Sequence, residues 1–511
     1  MENGNAPAGS SPAGHLTRDA LLLLLLTATS VLLHGYHYGH QDQAVWLPAI
    51  KKVLNPNLYP FDSTFFLAQT QLSLFPQLVA FALRTTRLPA DWGVFLWHLV
   101  TIYLVLLGCL GIARRCFAKP GAQWAAVATI WATRLMTATG SKVNLMDRYL
   151  HPRDLATPMI LFALVALLDR KLIALAWIFA AGFIHPTMAI FGAYHLAIQA
   201  WKLPRPMALA LASALAVAGM LLLPLAWPAI GPVPNSAWSE ALAIRRFLFP
   251  LRWHWYEWLG VVVPLGLLLW YARTGRRADL MIVAHISGRL ALAGALGVVG
   301  SVIISTVPAL ERFIPTEPMR TLHLVYLLWI LLSGGLLGEY VLRDRPLRWI
   351  MFFAPLCVVF FLGNHLSYRA SPQVEWPGQA PRNAWLEAFD WARRNTPRDA
   401  IFALDPTYMN QPGEDSHGFR AFAERSALVD GVKDWAVTVN CPELAYAWRQ
   451  QMRDLAGWRD FRREDFLRLE RRYRVTWVVV QRSRTGPPIP PAAAELPCPY
   501  ANNTVMVCRV E

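Results

Sequence analysis

Long runs of apolar residues follow one another through the first 363 residues of the chain. Each run approaches the roughly 20 residues that an α-helix needs to cross a bilayer. The pattern predicts a polytopic α-helical membrane domain over residues 16–363, behind a Gly-, Pro- and Ala-rich segment, residues 1–15, that we expect to be disordered. About eleven spans are predicted, at residues 16–33, 92–112, 121–138, 155–168, 172–184, 186–200, 206–227, 259–272, 280–308, 320–342 and 347–363.

Two of these segments leave alternatives open. The first, Leu16–Leu33, has the leucine run of a signal peptide, but no small-x-small cleavage site follows it. We therefore predict an uncleaved first span. The second is the stretch 172–200, which Pro186 divides into two short spans. If the stretch is instead one kinked helix, the number of crossings changes by one and the far end of the chain changes sides.

The pattern changes after Asn364, where the long apolar runs stop. Shorter segments of helical and strand periodicity alternate from there, which predicts a small α/β domain over residues 364–511. A short strand is predicted at 400–404 (AIFAL), and a buried strand is predicted at 476–481 (TWVVVQ). The other predicted elements are helices at 384–395, 443–458 and 463–473 and strands at 427–429 and 504–510.

The composition agrees with a membrane protein. The chain is 55% hydrophobic and 16% charged, where a soluble domain has about 25% charged residues. The net charge of +15 is carried mainly by residues 1–363, between the apolar segments, whereas residues 364–511 are close to neutral. This distribution is typical of basic loops beside membrane lipid and argues against a nucleic-acid partner.

The loops predict an orientation. With the N-terminus in the cytoplasm, the short inner loops carry about 13 Lys and Arg in roughly 31 residues, whereas the outer loops carry about 12 in roughly 117. Eleven spans then place residues 364–511 outside the cytoplasm. In a Gram-negative bacterium this is the periplasmic side of the inner membrane. Cys498 and Cys508 can form a disulfide there, with Cys441 left over in the same domain.

Candidate chemistry begins in the long first outer loop, residues 34–91. Residues 42–54 are predicted to form an amphipathic helix that lies along the membrane surface. Asp42 at its start is either a helix N-cap or a general base or metal ligand. His37 and His40, with Asp42 two residues further on, have a spacing that can hold a divalent ion, although loop histidines are more often hydrogen-bonded bystanders.

The second outer loop concentrates charge between Asp147 and Asp154. One interpretation is a salt-bridge network at a helix start. The other is that Arg148 and Arg153 bind a phosphate or pyrophosphate while Asp147 serves as acid, base or metal ligand. Other polar residues at the predicted outer ends are His185, Arg320, His323 and the stretch 405–434, which either binds an acceptor or is held by its own ion pairs. The outer ends thus carry more histidines and carboxylates than the inner ends. The greater length of the outer loops also explains part of this difference.

The arrangement resembles the GT-C superfamily of polytopic glycosyltransferases, which use lipid-phosphate-linked sugars. Members have a long first outer loop with surface helices, an acidic residue soon after the first span and further acidic residues in the next outer loop. Asp42 and Asp147 or Asp154 occupy these places here. The segments WLEAFDWARRNTPRDAIFALDP, TWVVVQR and CPYANNTVMVC resemble an uncharacterised C-terminal domain of bacterial membrane proteins of this type.

The resemblance implies an inverting glycosyltransferase of the outer membrane face with a polyprenyl-phosphate-linked sugar as donor. Asp42 is then the expected base, with Asp147 and Asp154 as further catalytic candidates. Arg148, Arg153 and Arg320 are expected to hold the donor phosphate, with His185 and His323 as further substrate-binding candidates. A divalent cation, Mg²⁺ or Mn²⁺, is an expected cofactor.

The alternative is a non-catalytic membrane protein, either a transporter or flippase or an assembly factor of an envelope glycan pathway. A transporter places its charges near mid-bilayer along a path, whereas the predicted charges of this chain cluster at one face.

Overall fold

The structure is a computed structural model that describes residues 12–61, 63–200, 235–410, 416–482 and 488–510. Up to residue 367 it is a bundle of helices, with one short hairpin, β1 (Thr137–Ala138) and β2 (Val143–Asn144), between the sixth and seventh. The helices are α1 (Pro12–His34), α2 (Gln43–Leu54), α3 (Thr64–Thr70), α4 (Phe75–Thr86), α5 (Ala90–Cys116), α6 (Pro120–Thr133), α7 (Pro152–Leu168), α8 (Ile173–Ile184), α9 (Pro186–Gln199), α10 (Ser236–Ala243), α11 (Trp255–Arg277), α12 (Met281–Thr306), α13 (Thr321–Leu337) and α14 (Pro346–Ser367).

Six helices in the described ranges are long and apolar enough to cross a membrane. They are α1, α5, α11, α12, α13 with its flanking turns, and α14. A seventh is reached only if α3 and α4, which are bent by 97° at a short break, form one span. The structure therefore supports a multi-pass membrane protein, but the predicted number of eleven spans is not confirmed.

The other predicted spans are shorter helices. α6 has 14 residues, α7 has 17, α8 has 12 and α9 has 14, all below the roughly 20 residues of a full crossing. The extended backbone of His185 separates α8 from α9, so residues 172–200 form two helices rather than one. The predicted span 206–227 lies outside the described residues.

The start of α1 differs from the prediction. The helix begins at Pro12, so residues 12–15 are helical although they belong to the segment 1–15 that we expected to be disordered. Residues 1–11 lie outside the described part of the chain. Leucine has a high helix propensity, so the leucine-rich run stabilises α1. The helix therefore begins about one turn before the apolar stretch.

The predicted inner and outer segments sort to opposite ends of the bundle. At one end, ion pairs join residues in or next to predicted inner segments: Arg114–Asp19, Arg115–Asp169 and Lys119–Glu339. At the other end, the predicted outer segments meet around one cavity. The short helix α7 connects the two ends, because it starts at the cavity and its C-cap is Asp169 at the opposite end.

The first loop folds into α2, α3 and α4, and α2 is covered by protein. Every residue from Gln43 to Ile50 is buried, and Lys51 on its polar face pairs with Glu424 of the C-terminal domain at 2.7 Å. The prediction that this helix lies along the membrane surface is therefore wrong. An amphipathic helix needs an apolar surface against its apolar face and a polar surface or solvent against its polar face. For α2, other parts of the protein provide both surfaces.

The C-terminal domain is a small mixed sheet with helices. Its strands lie in the order β4-β3-β5-β8-β7, with β6 paired to β5; β3 is parallel to β4 and β5, and β8 is antiparallel to β5. The elements are α15 (Ala384–Asn395), β3 (Ile401–Leu404), α16 (Phe419–Ala423), β4 (Ser426–Ala427), α17 (Asp434–Asn440), α18 (Ala445–Asp454), α19 (Arg463–Tyr473), β5 (Trp477–Arg482), β6 (Pro488–Ile489), β7 (Tyr500–Ala501) and β8 (Val505–Arg509). The predicted strands at 400–404 and 476–481 and the first and last predicted helices are confirmed.

This domain packs onto the cavity end of the bundle. The indole of Trp238 in α10 donates to the carbonyl of Val439 at 2.9 Å. Tyr59 in the first loop donates its hydroxyl proton to the carbonyl of Arg420 at 2.9 Å, and the backbone of His40 pairs with that of His417. Segments far apart in sequence therefore fix the domain against the loops that border the cavity.

Cys498 and Cys508 form a disulfide in the structure. We expect these two thiols to resist maleimide in denatured, unreduced protein, whereas Cys109, Cys116, Cys357 and Cys441, which are unpaired, react. The measurement is mass spectrometry of labelled peptides from cells lysed in maleimide. Labelling of both Cys498 and Cys508 without reductant would contradict both the pair and an oxidising location of the domain.

Candidate functional site

A cavity of about 400 Å³ lies where the bundle loops meet the C-terminal domain. Each predicted outer segment contributes to its lining, which includes Asp42, Asp147, Tyr149, His151, Arg153, His185, Arg245, Glu317, Arg320, Tyr368 and Lys433. A larger cavity of about 1200 Å³ lies near the end of α1 and is lined in part by Glu424 of the stretch 405–434, but by none of the individually predicted catalytic, substrate-binding or metal residues. We therefore take the smaller cavity, which Asp42, Asp147, Arg153, His185 and Arg320 line, as the candidate site.

Asp42 makes an ion pair across the interface with the C-terminal domain. It occupies the N-cap position of α2 but makes no capping hydrogen bond with its side chain. Instead, Lys433 donates to its Oδ1 at 2.7 Å, and Nε2 of His151 lies 3.7 Å from its Oδ2. Burial raises the pKa of Asp42, but the charges of Lys433 and Arg153 outweigh burial and hold the pKa well below its usual range.

His151 and His185 lie side by side in the cavity wall, with ring centroids 6.1 Å apart. Each is a helix cap: Nδ1 of His151 accepts from the backbone N–H of Arg153 at 3.0 Å, and Nδ1 of His185 accepts from that of Met188 at 3.3 Å. Burial and the charge of Arg153 lower the pKa of His151. The neutral ring of His151 therefore carries its proton on Nε2, which faces Asp42.

The loop before α7 contains the predicted salt-bridge network. Arg153 pairs with the carboxylate of Asp147, and Oδ2 of Asp154 accepts from the backbone N–H of Asp147 at 2.9 Å. All three side chains are buried. Arg153 and Asp147 line the cavity, whereas Asp154 lies behind them and does not. Asp154 therefore holds the backbone of Asp147 from behind the cavity wall, and its predicted catalytic role stays a prediction.

The cavity carries more cations than carboxylates. Its cationic side chains are Lys142, Arg153, Arg245, Arg320 and Lys433, against the carboxylates of Asp42, Asp147 and Glu317. Nε of Arg320 donates to Glu317 at 2.6 Å. Arg245 stacks on the ring of Trp435, with its guanidinium carbon 4.6 Å from the ring centroid. Such a lining favours an anionic ligand, since guanidinium groups bind phosphate oxygens with strong charge-assisted hydrogen bonds.

Two predicted substrate-binding residues lie outside the cavity lining. Arg148 turns away and donates to the hydroxyl of Tyr368 at 2.8 Å, over whose ring its guanidinium is stacked. His323 is buried, and its Nε2 lies 3.1 Å from the carbonyl oxygen of Leu145. Arg148 and His323 therefore support the cavity from behind, and the phosphate-binding prediction is left with Arg153 and Arg320.

The predicted pair His37 and His40 lies in a second polar cluster, behind Tyr368. His37, Glu375 and His417 each offer a ligand atom, and these atoms lie within 4.8 Å of one another. His40 adjoins them, with its ring centroid 5.7 Å from that of His37 and 5.4 Å from that of His417. Asp42, which we grouped with these histidines by sequence, instead faces the cavity and Lys433.

Sequence reasoning missed Lys433 as a site residue. It lies next to the last residue of the polar stretch 405–434, which we predicted to bind an acceptor or to form its own ion pairs. The ion-pair interpretation holds for Arg420 and Asp434, which form a buried ion pair at 2.9 Å. Lys433 reaches the cavity, and binding of an acceptor stays a prediction. Glu414 and Asp415 of this stretch lie outside the described residues. Glu317 and Arg245 were not predicted as site residues either, because their local sequence does not distinguish them from other charged residues in the loops.

A comparison with known protein families gives a match that contains Lys433. Residues 383–455 match a family model described as "Domain of unknown function (DUF6798)". The match includes α15, β3, α16, β4, α17 and α18, so it spans the part of the C-terminal domain that borders the cavity. No curated protein matches the chain.

Proposed function

We propose that this chain is an integral membrane glycosyltransferase, similar in layout to the GT-C superfamily, with its active site in the cavity between the loops and the C-terminal domain. One observation carries the proposal: Asp42, Asp147, Arg153, His185 and Arg320 come from four separate segments of the chain and were predicted as site residues, and they line one cavity. Packing alone does not require charged groups from so many segments to meet, because burying charge is costly.

The donor in this proposal is a polyprenyl-phosphate-linked sugar on the outer face of a bacterial inner membrane. Transfer of the sugar releases the donor phosphate as an anion, and Arg153 and Arg320 are placed to stabilise its charge. The cavity lies at the end of the bundle to which the predicted outer loops sort. The charge distribution of the loops supports an orientation in which that end, together with the C-terminal domain, lies outside the cytoplasm.

Asp42 is the proposed base for the acceptor hydroxyl. An efficient general base has a pKa near the working pH, and in the structure Lys433 keeps the pKa of Asp42 far lower. We infer that acceptor binding separates Asp42 from Lys433 and so restores its basicity. Mg²⁺ or Mn²⁺ stays an expectation, because a divalent ion would have to displace Lys433 from Asp42 or Arg153 from Asp147.

The second candidate function is non-catalytic, as a transporter or flippase or as an assembly factor of an envelope glycan pathway. The Asp42–Lys433 pair favours it, because a permanent ion pair across a domain interface is a structural feature rather than a catalytic one. The enzyme is preferred because Arg320, His185 and Lys142 also line the cavity, and a structural pair does not require them.

Deletion of the gene tests the proposed function. We expect the deletion strain to accumulate a polyprenyl-phosphate-linked sugar, detectable by mass spectrometry of lipid extracts, because the donor is made but not consumed. Expression of the wild-type chain should clear it. An unchanged pool of lipid-linked sugars in the deletion strain would contradict the proposal and favour the assembly-factor alternative.

A further inference from the structure

The buried cluster behind the cavity has the composition of a metal site. His37 and His417 are fully buried, and Glu375 is 12% exposed. Nδ1 of His37 lies 3.4 Å from Oε1 of Glu375, and Nε2 of His417 lies 3.0 Å from the same oxygen. Ligands of a tetrahedral zinc ion, about 2.0–2.1 Å from the metal, lie roughly 3.3 Å from one another. Two edges of the cluster are thus near the required length, and the widest separation, up to 4.8 Å, must contract.

His40 provides an independent observation. Its side chain is 1% exposed, and neither ring nitrogen has a hydrogen-bond partner among the described residues. A buried imidazole without partners is unfavourable, because the desolvation of its polar atoms is not compensated. The ring adjoins both His37 and His417, so coordination to a shared ion would satisfy one of its nitrogens. An ion held there explains why four polar residues are buried together.

We propose that His37, Glu375 and His417 bind a zinc ion, with His40 as the fourth ligand. The inference is separate from the glycosyltransferase proposal and does not depend on it. Two or three imidazoles with one carboxylate suit zinc, which accepts nitrogen and oxygen ligands in tetrahedral sites. Mg²⁺ prefers an octahedral shell of oxygen atoms, so this cluster is not a magnesium site.

The ion has a route into the cluster and a structural consequence. Glu375 lines the larger cavity, which gives access from solvent. The ligands come from the loop after α1, the segment after α14 and the segment before α16, so a shared ion ties the C-terminal domain to the first loop. Tyr149 and Tyr368 separate His40 from the smaller cavity, because both contact its ring and both line that cavity. The zinc is therefore structural.

The test is the metal content of the purified full-length protein. The wild-type chain, incubated with zinc chloride and dialysed, should retain one zinc ion per chain by inductively coupled plasma mass spectrometry, and a strong chelator should remove it and lower the midpoint of thermal unfolding. Loss of a residue that hydrogen-bonds to a metal ligand weakens metal binding by roughly 10- to 100-fold. His417→Ala removes a ligand itself, so it should weaken zinc binding by more than that. His365→Ala, which removes an exposed histidine of α14, should retain zinc like the wild type.

Two results would overturn the zinc site. One is wild-type protein that holds no stoichiometric zinc, or that holds manganese or iron in its place. The other is folded His417→Ala protein that binds zinc as tightly as the wild type. If His417→Ala does not fold, the wild-type protein loaded with cobalt decides the question: the absorption bands of tetrahedral cobalt support the site, and their absence contradicts it.

Discussion

Asp42→Asn should abolish function while leaving the protein folded and inserted. The substitution removes the proton acceptor, and the loss of a general base lowers the rate by about 10²–10⁴-fold. The stability effect should be small, because Asp42 is 39% exposed and partly exposed ion pairs contribute about 1 kcal/mol or less. The measurement is clearance of the accumulated lipid-linked sugar in the deletion strain, with protein abundance checked by immunoblot.

Two further variants separate chemistry from ion pairing. Lys433→Gln removes the same ion pair but keeps the carboxylate, so it should retain more activity than Asp42→Asn. The double variant Asp42→Asn with Lys433→Gln should be as inactive as Asp42→Asn alone. If Asp42 only pairs with Lys433, both single variants should have similar effects and the double variant should be no worse than either.

Asp399→Asn is the matched control. It makes the same change of carboxylate to amide at an exposed residue of the C-terminal domain that lines neither cavity. This variant should clear the lipid-linked sugar like the wild type. Full clearance by Asp42→Asn at normal abundance would falsify the catalytic role.

Arg153→Met should destabilise the whole chain. Arg153 is 3% exposed and pairs with Asp147, which is also 3% exposed, beside the fully buried Asp154. Removal of the cation leaves a buried carboxylate without compensation, which costs about 3–5 kcal/mol. That is a large part of the roughly 5–15 kcal/mol by which a domain is stable. We expect much lower abundance and a lower midpoint of thermal unfolding of the detergent-solubilised protein.

Arg246→Met is the control for this prediction. It removes the same type of side chain from an ion pair with Glu257, at 2.8 Å, in which the arginine is 43% exposed. The expected cost is about 1 kcal/mol or less. Equal midpoints for the two variants would show that the Arg153 network is not the buried anchor of the loop before α7.

The sequence predicted the parts of this fold that depend on local patterns. Apolar runs predicted α5, α12 and α14, because a helix of about 20 apolar residues is rarely stable anywhere but in a membrane. The segment AIFAL and the segment TWVVVQ became neighbouring strands because continuous β-branched and aromatic runs favour buried strands. The basic residues of the short inner loops also predicted which loops meet at the cavity. The charge pattern assigns the remaining loops to the opposite, outer side of the membrane.

Other features depend on contacts between distant segments and left no local signal. The apolar face of α2 looks the same whether it meets lipid or protein, so its burial under the C-terminal domain was not predictable. Lys433 lies 391 positions from Asp42, and no spacing rule joins them. Glu375 follows a Pro- and Gln-containing loop without any metal-binding motif, so its meeting with His37 and His417 appears only in three dimensions.

The central claim is that the cavity around Asp42 transfers a sugar from a lipid-phosphate donor, and consumption of that donor by purified protein tests it most directly. Detergent-dispersed membranes of the deletion strain supply the accumulated lipid-linked sugar together with the acceptor. Purified wild-type protein should consume the lipid-linked sugar and release polyprenyl phosphate, both followed by mass spectrometry, and Asp42→Asn protein should not. If the wild-type protein leaves the lipid-linked sugar chemically intact, the claim is contradicted. This is the result expected of a flippase or an assembly factor.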